Sequence, residues 1–165
     1  MTESIRPERE VLLYAWADGA LRPAAEARAL LCRRLVEWGC AGDGISDLVL
    51  AVSELVANAT EHATGPYEVW LRREISMVVC EVHDQDPHVP VLPVHPAGSL
   101  FAPDSRHRGG GLEGLLAVAS ERGRGLQIVD HLSEGCWGFR LSGDGKKVAW
   151  VKVRLENSQS TSYER

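Results

Sequence analysis

The chain has 165 residues, within the roughly 100–200 residues of one ordinary domain. Apolar residues make up 44% and charged residues 25%, which excludes a disordered or fibrous chain. With 18 basic and 23 acidic side chains the net charge is −5, so no basic footprint for direct nucleic-acid binding exists.

No apolar run nears the ~20 residues of a membrane span, and Met1–Pro7 has no apolar stretch like a signal peptide. The expectation is a cytoplasmic protein with no membrane partner. The cysteines at 32, 40, 80 and 136 form no C-x-x-C pair, and in that compartment they read as reduced thiols, mostly buried. The six histidines lack H-x3-H or HExxH spacing, which argues against a transition-metal site.

In chain order, Val11 to Trp16 reads as a strand, closed by Asp18-Gly19. From Pro23 to Trp38 the apolar positions Ala24, Ala27, Leu31, Leu35 and Trp38 step by three and four, the pattern of an amphipathic helix. Pro23 suits its first turn and Gly39 its stop. A second helix is expected from Gly44 to Thr64, with the stripe Ile45, Leu48, Val52, Leu55, Val56, Ala59 and Ala63. The period then changes to two. Tyr67–Arg72 and Ile75–Asp84 read as strands joined by a turn near Arg73-Glu74. From Pro87 to about Arg122 the pattern dissolves, and five of the eight prolines and Gly109-Gly110-Gly111 fall there. Loops this long in compact domains are usually functional or disordered, although a short helix at Leu112–Ser120 fits. Gly123-Arg124-Gly125-Leu126 reads as a glycine loop opening a helix. Trp137–Leu141, the Gly143-Asp144-Gly145 turn and Val148–Leu155 make a hairpin, followed by a polar tail over 157–165. The predicted fold is α+β: a two-layer α/β sandwich with a mixed, mostly antiparallel sheet covered on one face by helices.

Three features could carry chemistry. Glu54, Asn58 and His62 recur every four residues along one stripe of the second helix. A carboxylate there could take a proton from an attacking hydroxyl, and an amide oxygen is a hard ligand suited to Mg²⁺. Asp47, Ser53 and Glu61 are polar too, so the same stripe also reads as a solvated face. Asp84 follows Val78, Cys80 and Val82 on one face of a strand. A carboxylate at the end of an apolar face could accept an exocyclic amine, or it could simply cap a turn. Gly123 and Gly125 before a helix let backbone N–H groups approach a phosphate. They match neither G-x-x-x-x-G-K-[ST] nor a Rossmann turn.

Taken in order, these features carry a resemblance. A helix bearing Ser53-Glu54-Leu55-Val56-Ala57-Asn58-Ala59-Thr60-Glu61-His62-Ala63, a strand ending in Asp84, a long loop, a Gly-x-Gly-Leu helix and a hairpin together resemble the GHKL ATPase superfamily. Within it the chain is most similar to the anti-sigma-factor serine/threonine kinases. The resemblance spans roughly residues 23–155 and implies a Bergerat-type ATPase fold over 1–156, with residues 87–122 as an ATP lid. It implies ATP and Mg²⁺ as cofactors, with Glu54 as general base and Asn58 on the metal. Asp84 would meet the adenine amine, and Gly123, Gly125 and Leu126 would face the phosphates. Arg124 would touch phosphate, and His62 lies on the same motif. The implied partners are a sigma factor and an antagonist protein that is phosphorylated on serine, with a homodimer as the family's common state. The alternative is the same fold with nucleotide binding weakened or lost, acting by protein contact alone. Two departures stand out. Asp84-Gln85-Asp86-Pro87-His88 lacks the family's glycines, and Lys147 stands where a threonine usually accompanies the adenine-binding Asp.

Overall fold

The computed structural model describes residues 9–90 and 122–157. Most of the expected lid and all but the first residue of the 157–165 tail lie outside the described residues. The elements in order are β1 (Arg9–Trp16), α1 (Pro23–Glu37), β2 (Cys40–Ala41), α2 (Gly44–His62), β3 (Tyr67–Glu74), β4 (Met77–His83), α3 (Arg122–Ser133), β5 (Trp137–Leu141), β6 (Lys147–Arg154) and β7 (Glu156–Asn157). Five strands form one sheet in the order β1-β3-β4-β6-β5, and every described pairing in it is antiparallel. This is the expected α+β sandwich.

Local chemistry explains the ends. Pro23 opens α1, and Gly39 takes φ 69° just beyond Trp38, the left-handed position that a residue with no Cβ fills cheaply. α2 stops at His62, two residues before the expected Thr64, because Ala63 is extended. The β3–β4 turn sits at Ile75-Ser76, since Glu74 pairs with Met77. It lies two residues beyond the expected position, and Ile75 is left exposed at the tip. A small second sheet pairs β2 with β7. Two-residue strands leave no periodicity to read. Asn157 therefore belongs to a strand rather than to the tail.

The core lies between the inner sheet face and the helices. Val69 and Leu71 of β3, Cys80 and Val82 of β4, and Val151 of β6 meet Leu48, Val52, Leu55 and Val56 of α2, with Leu31 and Leu35 of α1 beside them. α2 packs across β4 and β6, flanked by α1 on one side and α3 on the other. Trp16 stacks on Tyr67 with ring centroids 4.9 Å apart, tying the edge strand to its neighbour. Of the four free cysteines, Cys40 and Cys80 are buried, Cys136 is half-buried and Cys32 is exposed, so half fit the expectation of buried thiols.

None of the described helices packs on the opposite sheet face. There Glu81 lies between Trp70 of β3 and Trp150 of β6 in register. Its carboxylate meets His83 Nε2 at 3.0 Å and the Arg140 guanidinium at 2.8 Å. Those bonds outweigh burial and pull the Glu81 carboxyl down from 4.5 to about 2. A depressed carboxyl contributes stability above its unfolded pKa and loses it as pH falls through its folded value. The contribution of Glu81 should therefore vanish between about pH 4.5 and 2. Glu81→Gln should cost roughly 1–3 kcal/mol at neutral pH and flatten the acid limb of stability against pH, as read by urea denaturation at a series of pH values. An unchanged acid limb would mean that another group controls it.

Candidate functional site

α2 is the spine of the site. The solvated-face reading of its polar side holds at Glu61, which is exposed, but not at Ser53. Ser53 is buried and accepts a bond from Arg28 Nη1 at 3.0 Å. Glu54 is half-buried against the first turn of α3. A helical wheel drawn for α2 alone has no information about helices docking on its flanks.

The contact with α3 depends on a missing side chain. A Cβ on Gly125 would stand 2.8 Å from Glu54 Oε2. The glycine therefore lets the backbone of α3 come up to the carboxylate. Gly123 and Gly125 lie within the helix that begins at Arg122 rather than in a loop ahead of it. Leu126 follows Gly125 in α3. Its side chain packs in the core with Val129 and anchors α3, so only its backbone is left toward a ligand.

Asn58 lies one turn beyond Glu54 on α2 and is half-buried. His62 ends the helix, with Nε2 3.7 Å from Glu61 Oε2. At 1.5 Å per residue it sits about 12 Å along the axis from Glu54, so the structure does not bring it to the Glu54–Gly125 contact.

Past that end of α2 the chain meets the end of β4. Gln85 N donates to Thr64 O at 3.0 Å, and Gln85 Nε2 to Pro66 O at 3.0 Å. This places Asp84 beside the α2 exit. Asp84 is 1% exposed and shares the inner face with Val78, Cys80 and Val82, as the alternation requires. Its Oδ1 accepts the Asp86 N–H at 2.8 Å, so the turn-capping reading is also realised. Its Oδ2 lies 3.3 Å from Lys147 Nζ. Burial pushes the Asp84 carboxyl up, opposed by the Asp86 N–H and the Lys147 ammonium. The same ammonium stands 3.6 Å from Asp86 Oδ2. Asp86 is pulled down first by the His88 backbone N–H. The single Lys147 ammonium thus stands between the two carboxylates of the Asp84–His88 segment, and the His88 backbone N–H donates to Asp86 Oδ1 at 2.9 Å.

The described residues therefore form two ends along α2. At one, a carboxylate faces a glycine-bared helix start, with an amide one turn away. At the other, a buried carboxylate is paired with a buried ammonium. Sequence reasoning found the residues at both ends. It missed the Arg28–Ser53 and Gln85–Thr64 links, which connect distant segments and have no local signature.

The family model for the histidine kinase-like ATPase domain matches residues 19–152, and the chain belongs to that family. No match to the chain is found among the curated proteins. Domains of this family bind ATP, typically with Mg²⁺. At the first end of the site the Asn58 amide oxygen is a hard ligand of the kind Mg²⁺ takes, and the space at 125 is shared by the α3 backbone and the Glu54 carboxylate. Among the described residues no helix is long and apolar enough to cross a membrane.

The Glu54–Gly125 contact can be tested by stability alone. Alanine is a better helix former than glycine by about 1 kcal/mol. Gly125→Ala should be neutral or mildly destabilising in the parent, where it must push the Glu54 carboxylate aside. In a Glu54→Ala background it should stabilise by about 0.5–1 kcal/mol. Equal effects in both backgrounds, measured by denaturant midpoints, would place Glu54 elsewhere.

Proposed function

We propose that the chain is an ATP-binding regulator of the anti-sigma serine/threonine kinase type. It transfers the γ-phosphoryl of Mg-ATP to a serine of an antagonist protein and sequesters a sigma factor. The observation that carries this reading is the Glu54 carboxylate held against Gly125 at the start of α3, with Asn58 one turn away. A nucleotide laid along α2 would present its phosphates to that helix start, where N–H groups and the helix dipole favour anions. Asn58 would hold Mg²⁺, which supplies charge neutralisation on the triphosphate. Glu54 would take the proton of the serine hydroxyl as it attacks phosphorus, with ADP leaving. Arg124, two residues into α3, is a candidate phosphate contact. Asp84 lies at the base end, and His62 has no assigned step.

A second reading is favoured by one observation. Asp84 already has an ammonium partner in Lys147, as a protein relieved of nucleotide recognition could have. In that case the same fold acts by protein contact alone.

The test separates binding from transfer. A general base contributes mainly in the transition state, so Glu54→Ala should abolish phosphorylation of a serine partner and keep Mg-ATP affinity within a few-fold. Asn58→Ala should lose Mg-dependent affinity itself. Mg-ATP titration paired with radiolabel transfer reads both, and circular dichroism excludes damage to α2. Transfer by Glu54→Ala at the parent rate would remove Glu54 from catalysis. Absence of Mg-ATP binding by the parent would favour the contact-only reading.

A further inference from the structure

Buried lysines are uncommon unless paired, and Lys147 is 5% exposed. Strand alternation at Lys146-Lys147 sends one ammonium out and one in. Lys146 is solvent-facing and pairs with Asp144 at 3.1 Å. Lys147 points inward, 3.3 Å from Asp84 and 3.6 Å from Asp86. Its backbone is fixed on both sides: Asp84 N donates to Lys147 O at 3.1 Å, and Lys147 N donates to Asp86 O at 3.1 Å. The Phe139 ring centroid lies 6.0 Å from Nζ. Each carboxylate oxygen of Asp84 thus faces a donor from the protein itself, one a backbone N–H and the other an ammonium.

We propose that Lys147 sets the base selectivity of this site. It supplies from within the protein the donor that Asp84 would otherwise take from an adenine amine. The site then binds a nucleoside triphosphate through its phosphates, with little preference for its base. The inference rests on the nucleotide-binding reading above. A hydrogen-bonding site rejects the wrong ligand mainly because that ligand leaves a buried group unpaired. With Lys147 present, a base lacking the amine leaves Asp84 paired. A neutral exocyclic amine is a weaker donor to a carboxylate than an ammonium, and displacing the ammonium would strand a buried charge. A neutral side chain at 147 restores the unmet demand of Asp84, and with it the advantage of adenine.

The experiment is calorimetric titration of Mg-ATP and Mg-GTP into the full chain, into Lys147→Thr and Lys147→Met, and into the double variant Asp84→Asn with Lys147→Thr. The parent should bind the two nucleotides within about threefold of each other, because no buried group discriminates between them. Lys147→Thr should prefer ATP by about tenfold or more, the value of one hydrogen bond to a charged group. The double variant should lose that preference. Lys147→Met keeps the length and apolar stem of lysine, so it carries the comparison if the threonine variant fails to fold. A parent that prefers ATP tenfold, or position-147 variants that gain no preference, would overturn the inference while leaving nucleotide binding intact. Absence of binding of either nucleotide to every protein would instead overturn the nucleotide reading, and the inference with it.

Discussion

A carboxylate taken out of water must be met by donors, and Asp84 imposes that condition where β4, β6 and the exit of α2 converge. Its inward position is fixed by the alternation that buries Val78, Cys80 and Val82. The fold meets the condition with three segments: the Asp86 N–H, the Lys147 ammonium, and the ladder bonds that hold both in place. Removing one partner of such a pair is costly because it leaves the other charge buried. The end of β4, the start of β6 and the turn through Asp86 are therefore coupled. Tyr67, at the start of β3, feels the same arrangement. Its hydroxyl is pushed up by burial first, then by its bond to Asp18, with Asp84 adding to the effect.

The outer sheet face solves a similar problem differently. Glu81 is also a carboxylate on β4, but it points away from the helices, so partners with long side chains can reach it from neighbouring strands. His83 and Arg140 do so directly, and Arg72 stands 3.7 Å away. β4 and the residue just past its end thus carry two nearly buried acids with opposite outcomes. Burial dominates at Asp84 and raises its carboxyl, whereas hydrogen bonds dominate at Glu81 and lower it. The difference lies in what surrounds each acid. Half-exposed Arg140 keeps contact with water while it pairs with Glu81, whereas Lys147 is buried with Asp84.

Much of this was legible in the sequence where a residue's role is set by its own element. The apolar steps of α1 and α2, the alternation of β4 and the glycine turn of the last hairpin all depend on local spacing, and each element formed within about two residues of its expected bounds. The inward position of Asp84 followed from the same spacing. What the sequence hid were consequences of docking. Ser53 looked solvent-facing on its helix wheel, yet α1 brings Arg28 to it. Leu126 was grouped with the glycines beside it in the chain, yet α3 turns it into the core. The β2–β7 pairing joins segments more than a hundred residues apart and involves too few residues to leave a pattern. Lys147 was legible as a departure from the resembled family. That its ammonium reaches Asp84 required the register of β4 on β6.

The two ends of the site are built from different physical materials, and that bears on how they can change. At the α3 end the requirement is steric: a helix start with no Cβ at 125, so that Glu54 and the backbone can share a small space. Almost any side chain at 125 intrudes there. At the Asp84 end the requirement is electrostatic: a buried charge needs donors but not one particular donor. A backbone N–H and an ammonium satisfy it here. At the first end a substitution must displace the Glu54 carboxylate, whereas at the second it must leave Asp84 with a donor. About 12 Å of α2 separates Glu54 from the helix end at His62, beyond the range at which substitutions usually couple unless they share a partner. The Asp84 end can therefore change while the Glu54–Gly125 contact keeps its geometry. The chain sets a steric contact, Glu54 on Gly125, and an electrostatic one, Asp84 on Lys147, toward opposite ends of α2.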